Sequence, residues 1–357
     1  MKIQSLTVTK FGVFRSKSTF EFGPGINVVI GPNGSGKSHL LKLLYTCLSV
    51  ANKHPSVDDK SFSIHMRDKL NGVFRPDNGQ TGRLVSRTVG RSKATWVLNT
   101  DAGEISSSVS TVGTGTVKAS RTLDAAPERA VFLPSREALA MYPGFVSLYE
   151  NREIAFDETY RDLCVMLSGS QLRGPRLAET QKLAEPLEHE LGGSVRLIDG
   201  RFVLMTSGKG NLEAPLLAEG IRKLGSLAHL ILNGSLLKNG FLMWDEPEAN
   251  LNPRLTQLVA RTLARLAASG VQIFVASHDF LLTSELSMYQ EYKRYVDKDL
   301  RCDIKFFALE LQGDLESVRI HQSDRLSTLP ANAIVDEFAA FYERRNMLAF
   351  RSSGHSE

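Results

Sequence analysis

Residues 31–38 carry the pattern that most constrains what this chain can fold into. They read Gly31-Pro32-Asn33-Gly34-Ser35-Gly36-Lys37-Ser38, a complete phosphate-binding loop. An apolar run over 26–30 predicts a buried strand before the loop, and leucines at helical spacing over 40–48 predict a helix after it. In that setting the backbone N–H groups of the loop would face the phosphates of a nucleoside triphosphate. Lys37 would reach its β- and γ-phosphates, and the Ser38 hydroxyl would be a ligand of Mg²⁺.

A second pattern pairs an apolar strand with two carboxylates. Residues 241–246 read Phe241-Leu242-Met243-Trp244-Asp245-Glu246, which matches a Walker B strand. Asp245 would hold Mg²⁺ through water at the end of a parallel strand beside the phosphate loop. Glu246 is placed to act as the general base that polarises the attacking water.

A third pattern places a histidine directly after another apolar strand. Residues 271–276 are apolar apart from one glutamine, and Ser277, His278 and Asp279 follow them. His278 would therefore contact the γ-phosphate from the end of a neighbouring parallel strand, and we count it with Lys37 and Glu246 as a catalytic residue.

The bulk composition excludes several classes of protein. The chain has 357 residues with 42% hydrophobic and 23% charged residues, which is typical of a globular protein with a sizeable core. Its net charge of +4 permits contact with DNA without arguing for it. The three cysteines are far apart, and no apolar run is long enough for a membrane span. We therefore expect a cytoplasmic protein that does not associate with membranes.

The remaining sequence divides into segments of different character. Residues 1–30 are expected to form antiparallel strands, 52–91 is a polar stretch, and 82–123 is expected to form an exposed sheet of short strands. A strand over 130–133, helices over 145–192 and a hairpin around Asp199-Gly200 are predicted next. An α/β alternation follows, with expected elements at 216–239, 241–244, 254–268 and 271–276, then a strand over 304–309 and a helix over 333–345.

Together these motifs resemble the ABC-type ATPase superfamily. The joined string Asp245-Glu246-Pro247-Glu248-Ala249-Asn250-Leu251-Asn252-Pro253 is similar to the SMC, RecF and OLD branch, and most similar to the OLD-like AAA-type ATPases of phage-defence systems. The resemblance implies an α/β P-loop NTPase fold, an ABC-ATPase head with a mixed central sheet, an antiparallel β subdomain and a helical insert. The chain would be a single head over 1–357, with an inserted region over about 50–215 and a C-terminal strand-helix extension over about 300–357.

The resemblance also assigns a signature loop, which binds the nucleotide of the opposite subunit. The matching residues are Leu217-Ala218-Glu219-Gly220-Ile221-Arg222-Lys223, and Ala218, Glu219 and Gly220 would contact that nucleotide. Ala218 stands where relatives have serine, so Arg222 or Lys223 could compensate for the lost hydroxyl. For the family's Q-loop glutamine the candidates are Gln80 and Gln171.

The resemblance further implies a mechanism in which two heads dimerise around two ATP molecules. The segment between residues 38 and 245 shows no sustained heptads, so long coiled-coil arms are not expected. We therefore expect an ATP-hydrolysing module that forms a homodimer or higher homo-oligomer and regulates a separate effector, a nuclease or toxin, in phage defence. The alternatives are a RecF-like repair clamp that binds DNA and the nucleotide-binding subunit of a transporter.

Overall fold

The centre of the fold is a mixed sheet whose strands come from both ends of the sequence. The structure is a computed structural model that describes residues 1–353 apart from 88, 113–114, 207, 209, 314–316 and 331. Its strands are β1 (Ile3–Thr9), β2 (Ser18–Glu21), β3 (Ile26–Ile30), β4 (Lys93–Thr100), β5 (Gly103–Ser110), β6 (Val117–Leu123), β7 (Ala130–Leu133), β8 (Gly193–Ile198), β9 (Arg201–Thr206), β10 (Gly210–Glu213), β11 (Phe241–Asp245), β12 (Gln272–Ser277), β13 (Ile304–Gln312) and β14 (Ser317–Ser323).

Helices cover both faces of this sheet. They are α1 (Lys37–Lys53), α2 (Asp59–Phe74), α3 (Phe145–Glu150), α4 (Glu158–Leu167), α5 (Pro175–Leu191), α6 (Glu219–Leu232), α7 (Pro253–Ala268), α8 (Phe280–Glu291) and α9 (Ala333–Ser353).

The central sheet has the strand order β14-β13-β3-β12-β11-β7. The five strands from β13 to β7 run parallel, and β14 pairs antiparallel with β13. The predicted mixed sheet is thus confirmed. The expectation of antiparallel strands across 1–30 is wrong for β3, which lies between two parallel neighbours. All five of its residues are buried, as is usual for a parallel strand covered on both faces.

Side-chain alternation along these strands separates two hydrophobic cores. Val28 and Val275 point into one core, which also contains α6, α7 and α8 residues. Val29 and Phe274 point into the other, which contains α1 and the antiparallel sheet. Because successive side chains of a strand point to opposite faces, one five-residue strand contributes to both cores.

The antiparallel sheet has the order β2-β1-β4-β5-β6 and lies against α1. It confirms the prediction of strands for 93–123, whereas residues 82–84 at the start of the predicted stretch belong to a 3₁₀ segment, Thr81–Leu84, and are not a strand. Residues 88, 113 and 114 of that stretch lie outside the described residues. Phe11 and Trp96 meet edge to face in its core, with ring centroids 5.4 Å apart. The sheet therefore packs over the helix that follows the phosphate loop.

Between β7 and α6 lie three helices, α3 to α5, and a small sheet of order β10-β9-β8. The predicted hairpin is present: β8 and β9 pair antiparallel around Asp199 and Gly200. Both residues have positive φ, 47° and 75°, which suits a tight two-residue turn.

Two helices differ from the prediction in their bounds. The helix expected over 216–239 begins at Glu219 and ends at Leu232, because Gly234 adopts a positive φ of 76° and turns the chain. The helix expected over 333–345 continues to Ser353. Residues 354–357 of the predicted extension lie outside the described residues.

A search of the described residues finds no helix long and apolar enough to cross a membrane.

Burial of His229 makes stability depend on pH. Its side chain is 3% exposed, and its Nε2 donates to the Leu167 carbonyl at 3.0 Å. Its Nδ1 is buried and has no hydrogen-bond partner among the described atoms, so protonation there would leave an unpaired N–H. Burial accordingly lowers the pKa of His229 below its usual value.

We predict that His229 destabilises the fold as the pH falls. The unfolded chain takes up a proton near pH 6.5 and the folded chain does so only at lower pH, so stability decreases below that point by at most about 1.4 kcal/mol per pH unit. Urea unfolding between pH 5 and pH 8 should show a smaller decrease in His229→Gln, which keeps a donor to Leu167. His189→Gln, at an exposed position on α5, is the control. Parallel pH profiles for all three proteins would contradict the prediction.

Candidate functional site

The predicted site lies where three parallel strands end. In the sheet register Ile30 of β3 is opposite Ser277 of β12, and Ala276 of β12 is opposite Asp245 of β11. The segments that follow these strands therefore leave the sheet at the same edge, the usual position of ligand sites in α/β sheets.

The phosphate loop is shaped by its glycines and by its own lysine. Gly34 and Gly36 have φ values of 83° and 96°, and a Cβ on Gly36 would meet Val13 at 2.6 Å. Lys37 is buried, and its Nζ donates to the carbonyls of Gly31 at 2.7 Å and Pro32 at 3.1 Å. Burial lowers the pKa of Lys37, an effect that Asp245 at the end of β11 and the two glutamates after it partly offset.

Other loop groups are open towards a ligand. Asn33 and Gly34 are exposed, and a Cβ on Gly34 would meet no described atom within 4 Å. The Ser35 hydroxyl is buried and has no hydrogen-bond partner among the described atoms. The loop thus offers backbone N–H groups at the start of α1, where the helix dipole favours an anion.

The loop and the Walker B strand meet directly. Ser38 Oγ donates to Asp245 Oδ1 at 3.0 Å, although the two residues are far apart in the sequence. Burial raises the pKa of Asp245, an effect that the hydrogen bond from Ser38 opposes. A hydroxyl and a carboxylate oxygen are the protein ligands that Mg²⁺ usually takes in P-loop NTPases, and here two such oxygens are in contact.

Glu246 and His278 lie side by side at the strand ends. His278 Nδ1 is 3.5 Å from Glu246 Oε1, and both side chains are partly exposed. Glu246 has a positive φ of 50°, which is uncommon for a residue with a side chain and directs the turn that follows β11. The structure therefore brings the predicted base next to the predicted γ-phosphate contact.

Glu248 is a part of this site that the sequence reasoning did not assign. It is buried and accepts hydrogen bonds from Ser277 Oγ at 2.8 Å and from the His278 backbone N–H at 3.1 Å. Burial raises its pKa. Glu248 thus fixes the end of β12 to the turn after β11; its place in the string 245–253 was the signal that could have found it.

The signature residues lie at the start of α6. Ala218 is the exposed N-cap residue and provides no side-chain cap, so the first amides of the helix are open. Gly220 is buried against the turn after β11: a Cβ there would meet the Asn250 carbonyl oxygen at 2.8 Å. Glu219 lies between them in the first turn of the helix, where its charge would oppose a phosphate.

Arg222 and Lys223, which could compensate for the missing hydroxyl, both bond within their own chain in this structure. Arg222 Nε donates to Glu137 Oε1 at 2.6 Å, and its Nη1 donates to the Leu217 carbonyl. Lys223 is 4% exposed, and its Nζ donates to the carbonyls of Glu246 at 2.9 Å and Ala249 at 3.0 Å. Both side chains are therefore engaged within their own chain, and either would have to give up these bonds to contact a nucleotide of a second subunit.

Neither glutamine candidate follows a strand of the central sheet. Gln80 is exposed in the short 3₁₀ segments between α2 and β4, and Gln171 is in the loop between α4 and α5. Instead, β7 runs parallel to β11 with Leu133 opposite Trp244, so Ser135 and Arg136 leave the sheet beside Asp245. A polar segment thus follows β7 at this edge without a glutamine.

The arrangement can bind a phosphate chain with a divalent cation and hold a carboxylate near the terminal phosphate. Among the described residues no group of three or more histidine, cysteine, aspartate or glutamate side chains could hold a metal. That is compatible with Mg²⁺, which usually takes one or two protein ligands and completes its shell with phosphate and water oxygens.

Two family models match parts of the chain. One, described as "AAA domain, putative AbiEii toxin, Type IV TA system", matches residues 144–284. The other, described as "AAA domain", matches residues 5–123. The second range contains the phosphate loop, and the first contains Asp245, Glu246 and His278.

Curated relatives match short segments. A chromosome partition protein Smc from Synechocystis sp. is 31% identical over 86 residues, which are 24% of this chain and 7% of that protein. The Smc protein of Mycolicibacterium paratuberculosis is 50% identical over 44 residues, which are 12% of this chain and 4% of that protein. The matches therefore span a small part of the length of these relatives.

Solved structures of SMC heads share the fold. The SMC head bound to the C-terminal winged-helix domain of ScpA aligns with a TM-score of 0.54 at 14% identity, over 90% of this chain and 98% of that one. The Smc head with an extended coiled coil bound to the C-terminal domain of ScpA, from Pyrococcus furiosus, aligns with a TM-score of 0.50 at 13% identity, over 95% and 99%. The fold is that of a P-loop ABC-type ATPase head, and the comparisons together support an ATPase of the SMC/AAA type.

We predict that Lys223 is required for the stability of the turn after β11. Lys223→Met keeps the length of the side chain but leaves the Glu246 and Ala249 carbonyls without their donor. Since an unpaired buried polar group costs about 1–3 kcal/mol, the free energy of unfolding in urea should fall by about 2 kcal/mol or more. Lys182→Met, at an exposed position on α5, is the matched control. Equal unfolding free energies for the two variants would refute this role.

Proposed function

We propose that this chain is an ATP-hydrolysing head that closes on a second copy around two ATP molecules. The observation that carries the proposal is the contact between Ser38 and Asp245, 3.0 Å, with Glu246 and His278 beside it. Binding of phosphates, binding of a cation and activation of water each have a residue of suitable chemistry at one edge of the sheet.

Mg²⁺ fits the oxygen atoms that face each other at this edge. Ser38 and Asp245 would hold the ion, directly or through water. When bound, the ion would neutralise charge on the phosphates. The chain's own contribution is to hold these two oxygens together, which the hydrogen bond between them already does.

The other residues then have separate roles. Lys37 would exchange the Gly31 and Pro32 carbonyls for phosphate oxygens. Glu246 would accept the proton of the attacking water, and His278, held by the contact of its backbone with Glu248, would contact the terminal phosphate.

The second copy would supply the signature residues. Open amides at Ala218, Glu219 and Gly220 are the donors left for this contact, because Ala218 has no hydroxyl and Arg222 and Lys223 are bound within their own chain. ATP would thus join two heads, and hydrolysis would release them, a shift between open and closed populations.

We further propose that closing of the heads regulates a separate effector, a nuclease or toxin, in defence against phage. Two findings favour a separate partner: the description of one matching family names a putative toxin, and the SMC heads of similar fold were solved bound to domains of ScpA. No comparison favours the RecF-like DNA clamp. Co-purification of Glu246→Gln protein with the products of neighbouring genes, in ATP and Mg²⁺, would identify the effector; recovery of the head alone would argue against one.

We predict that Glu246→Gln traps a closed dimer. The amide cannot accept a proton, so ATP turnover should fall by about 100-fold or more while ATP binding is kept. Native mass spectrometry with ATP and Mg²⁺ should then show more dimer than in wild type. Glu104→Gln, at an exposed position on β5, should behave as wild type. Wild-type turnover in Glu246→Gln would overturn the assignment of the base.

We predict that Lys37→Ala abolishes ATP binding or turnover. The variant removes the side-chain cation that the sequence motif directs to the β- and γ-phosphates. Calorimetric titration with ATP and a phosphate-release assay give the two readouts, and Lys60→Ala, an exposed lysine, is the control. A Lys37→Ala protein that hydrolyses ATP as fast as wild type would contradict the proposed function.

A further inference from the structure

Arg136 is a basic residue at the catalytic edge to which the proposed function gives no role. β7 runs parallel to β11 with Leu133 opposite Trp244. The next residue of the chain, Pro134, is then level with Asp245. Neighbouring strands lie about 4.8 Å apart, and two residues extend at most about 7 Å along the chain. Arg136 therefore follows β7 within reach of the carboxylate that we expect to hold Mg²⁺.

Tyr160 of α4 shows by a separate observation that Arg136 and Asp245 are close to each other. Burial is the main cause that raises the pKa of the Tyr160 phenol to about 12. Asp157 and Asp245 also raise this pKa, whereas the charge and the backbone N–H of Arg136 lower it. One phenol thus lies in the electric field of both the arginine and the Walker B carboxylate.

The backbone around Arg136 is fixed on both sides. The neighbouring residues 131–134 and 137–139 are buried. The Glu137 carboxylate accepts hydrogen bonds from two backbone N–H groups of the segment that follows it, at 2.7 and 3.2 Å, and from Arg222 Nε at 2.6 Å. Arg136 is therefore an exposed residue at a fixed point of the backbone, and its side chain starts from a defined place at the edge of the site.

The guanidinium of Arg136 differs from the other basic groups near this edge. Lys37 donates to two carbonyls of its own loop, and Lys223 donates to carbonyls of the turn after β11. Lys42 of α1 is paired with Asp157 at 2.8 Å. Within the part of the chain that the structure describes, the Arg136 side chain has neither a hydrogen bond nor an ion pair. Its N–H donors are thus open to a ligand.

We propose that Arg136 donates hydrogen bonds to the terminal phosphate of the ATP bound in its own subunit, and that it is a further catalytic residue. The inference rests on the proposed function, because it requires ATP at the phosphate loop. Arginine remains charged at physiological pH, and its planar pairs of N–H groups match the geometry of phosphate oxygens. A cation held at a fixed place would stabilise the charge that develops on these oxygens during hydrolysis.

The first test compares nucleotides that differ in the terminal phosphate. With Mg²⁺, Arg136→Ala should bind a fluorescent, non-hydrolysable ATP analogue about tenfold more weakly than wild type, while the dissociation constant of the matching ADP analogue should change less than about twofold. Arg129→Ala is the matched control, since Arg129 is an exposed arginine at the opposite end of β7 and should behave as wild type. An equal loss of affinity for both nucleotides would contradict a contact with the terminal phosphate.

The same titration identifies the subunit that Arg136 serves. It is made at a protein concentration at which native mass spectrometry shows monomers, so that a second copy cannot supply the arginine. The difference between the two nucleotides should persist under these conditions, because Arg136 and Asp245 belong to neighbouring strands of one chain. A difference that appears only in the dimer would overturn the assignment to the same subunit.

The second test measures turnover. The kcat for phosphate release should fall at least about 100-fold in Arg136→Ala. Arg136→Lys keeps the charge without the planar pair of donors and should recover part of this loss. The urea midpoint of both variants should equal that of wild type, since the side chain makes no bond among the described residues that the substitution would remove. Turnover within about twofold of wild type in Arg136→Ala would overturn the proposal.

Failure of this inference and failure of the proposed function give different results. A wild-type chain that neither binds nor hydrolyses ATP would overturn both. A wild-type chain that does both, together with an Arg136→Ala variant that does them equally well, would overturn the role of Arg136 alone. A selective loss of affinity for the ATP analogue with a large fall in kcat would establish that role.

Discussion

The parallel pairing of β3 with β12 and of β12 with β11 is the constraint on which the site depends. This pairing places the ends of three strands from distant parts of the sequence at one edge of the sheet. Short side chains that follow these strands can therefore be in contact. Buried strands hold this register firmly, since a shift by one residue would turn Val28 and Val275 away from their core and Val29 and Phe274 into it. The Ser38–Asp245 contact is a consequence of that register.

Helix α6 connects the segment that follows β7 to the turn that follows β11. Arg222 binds Glu137, in the segment after β7, and Lys223 binds the turn after β11, so one helix is fixed to two of the segments that border the phosphate site. A displacement of α6 by a second copy at Ala218 would strain both contacts. The start of α6, which we propose to meet a second copy, is therefore one contact away from the segment that carries Glu246. On the other side, Phe280 begins α8 two residues after His278 and packs against α9.

Motifs with fixed backbone requirements were predictable from the sequence, and contacts between distant segments were not. The phosphate loop, the strand before Asp245 and the strand before His278 are local patterns, so their places in the parallel sheet followed from them. Lys223 sits in an ordinary helical pattern, and only the fold reveals that its amine reaches carbonyls of another segment. Helix α2 lies in the stretch read as merely polar, although Asp58 caps it and Phe62, Met66 and Leu70 recur at helical spacing. Because most of the other residues in this stretch are polar or charged, the narrow apolar stripe did not lead to the prediction of a helix.

The Lys37 amine donates hydrogen bonds to the Gly31 and Pro32 carbonyls. These two carbonyl oxygens therefore take the role that phosphate oxygens would have in a complex with nucleotide. A loop that is already closed around an amine loses little chain entropy when it binds a phosphate chain. In the proposed complex, the free energy of nucleotide binding would be a difference between the new bonds from the amine to phosphate oxygens and the lost bonds from the amine to the two carbonyls. It does not report the full strength of the amine–phosphate attraction. Removing the amine would also release the loop from its shape. A variant without it would therefore bind weakly for two reasons, one in the complex with nucleotide and one in the free protein.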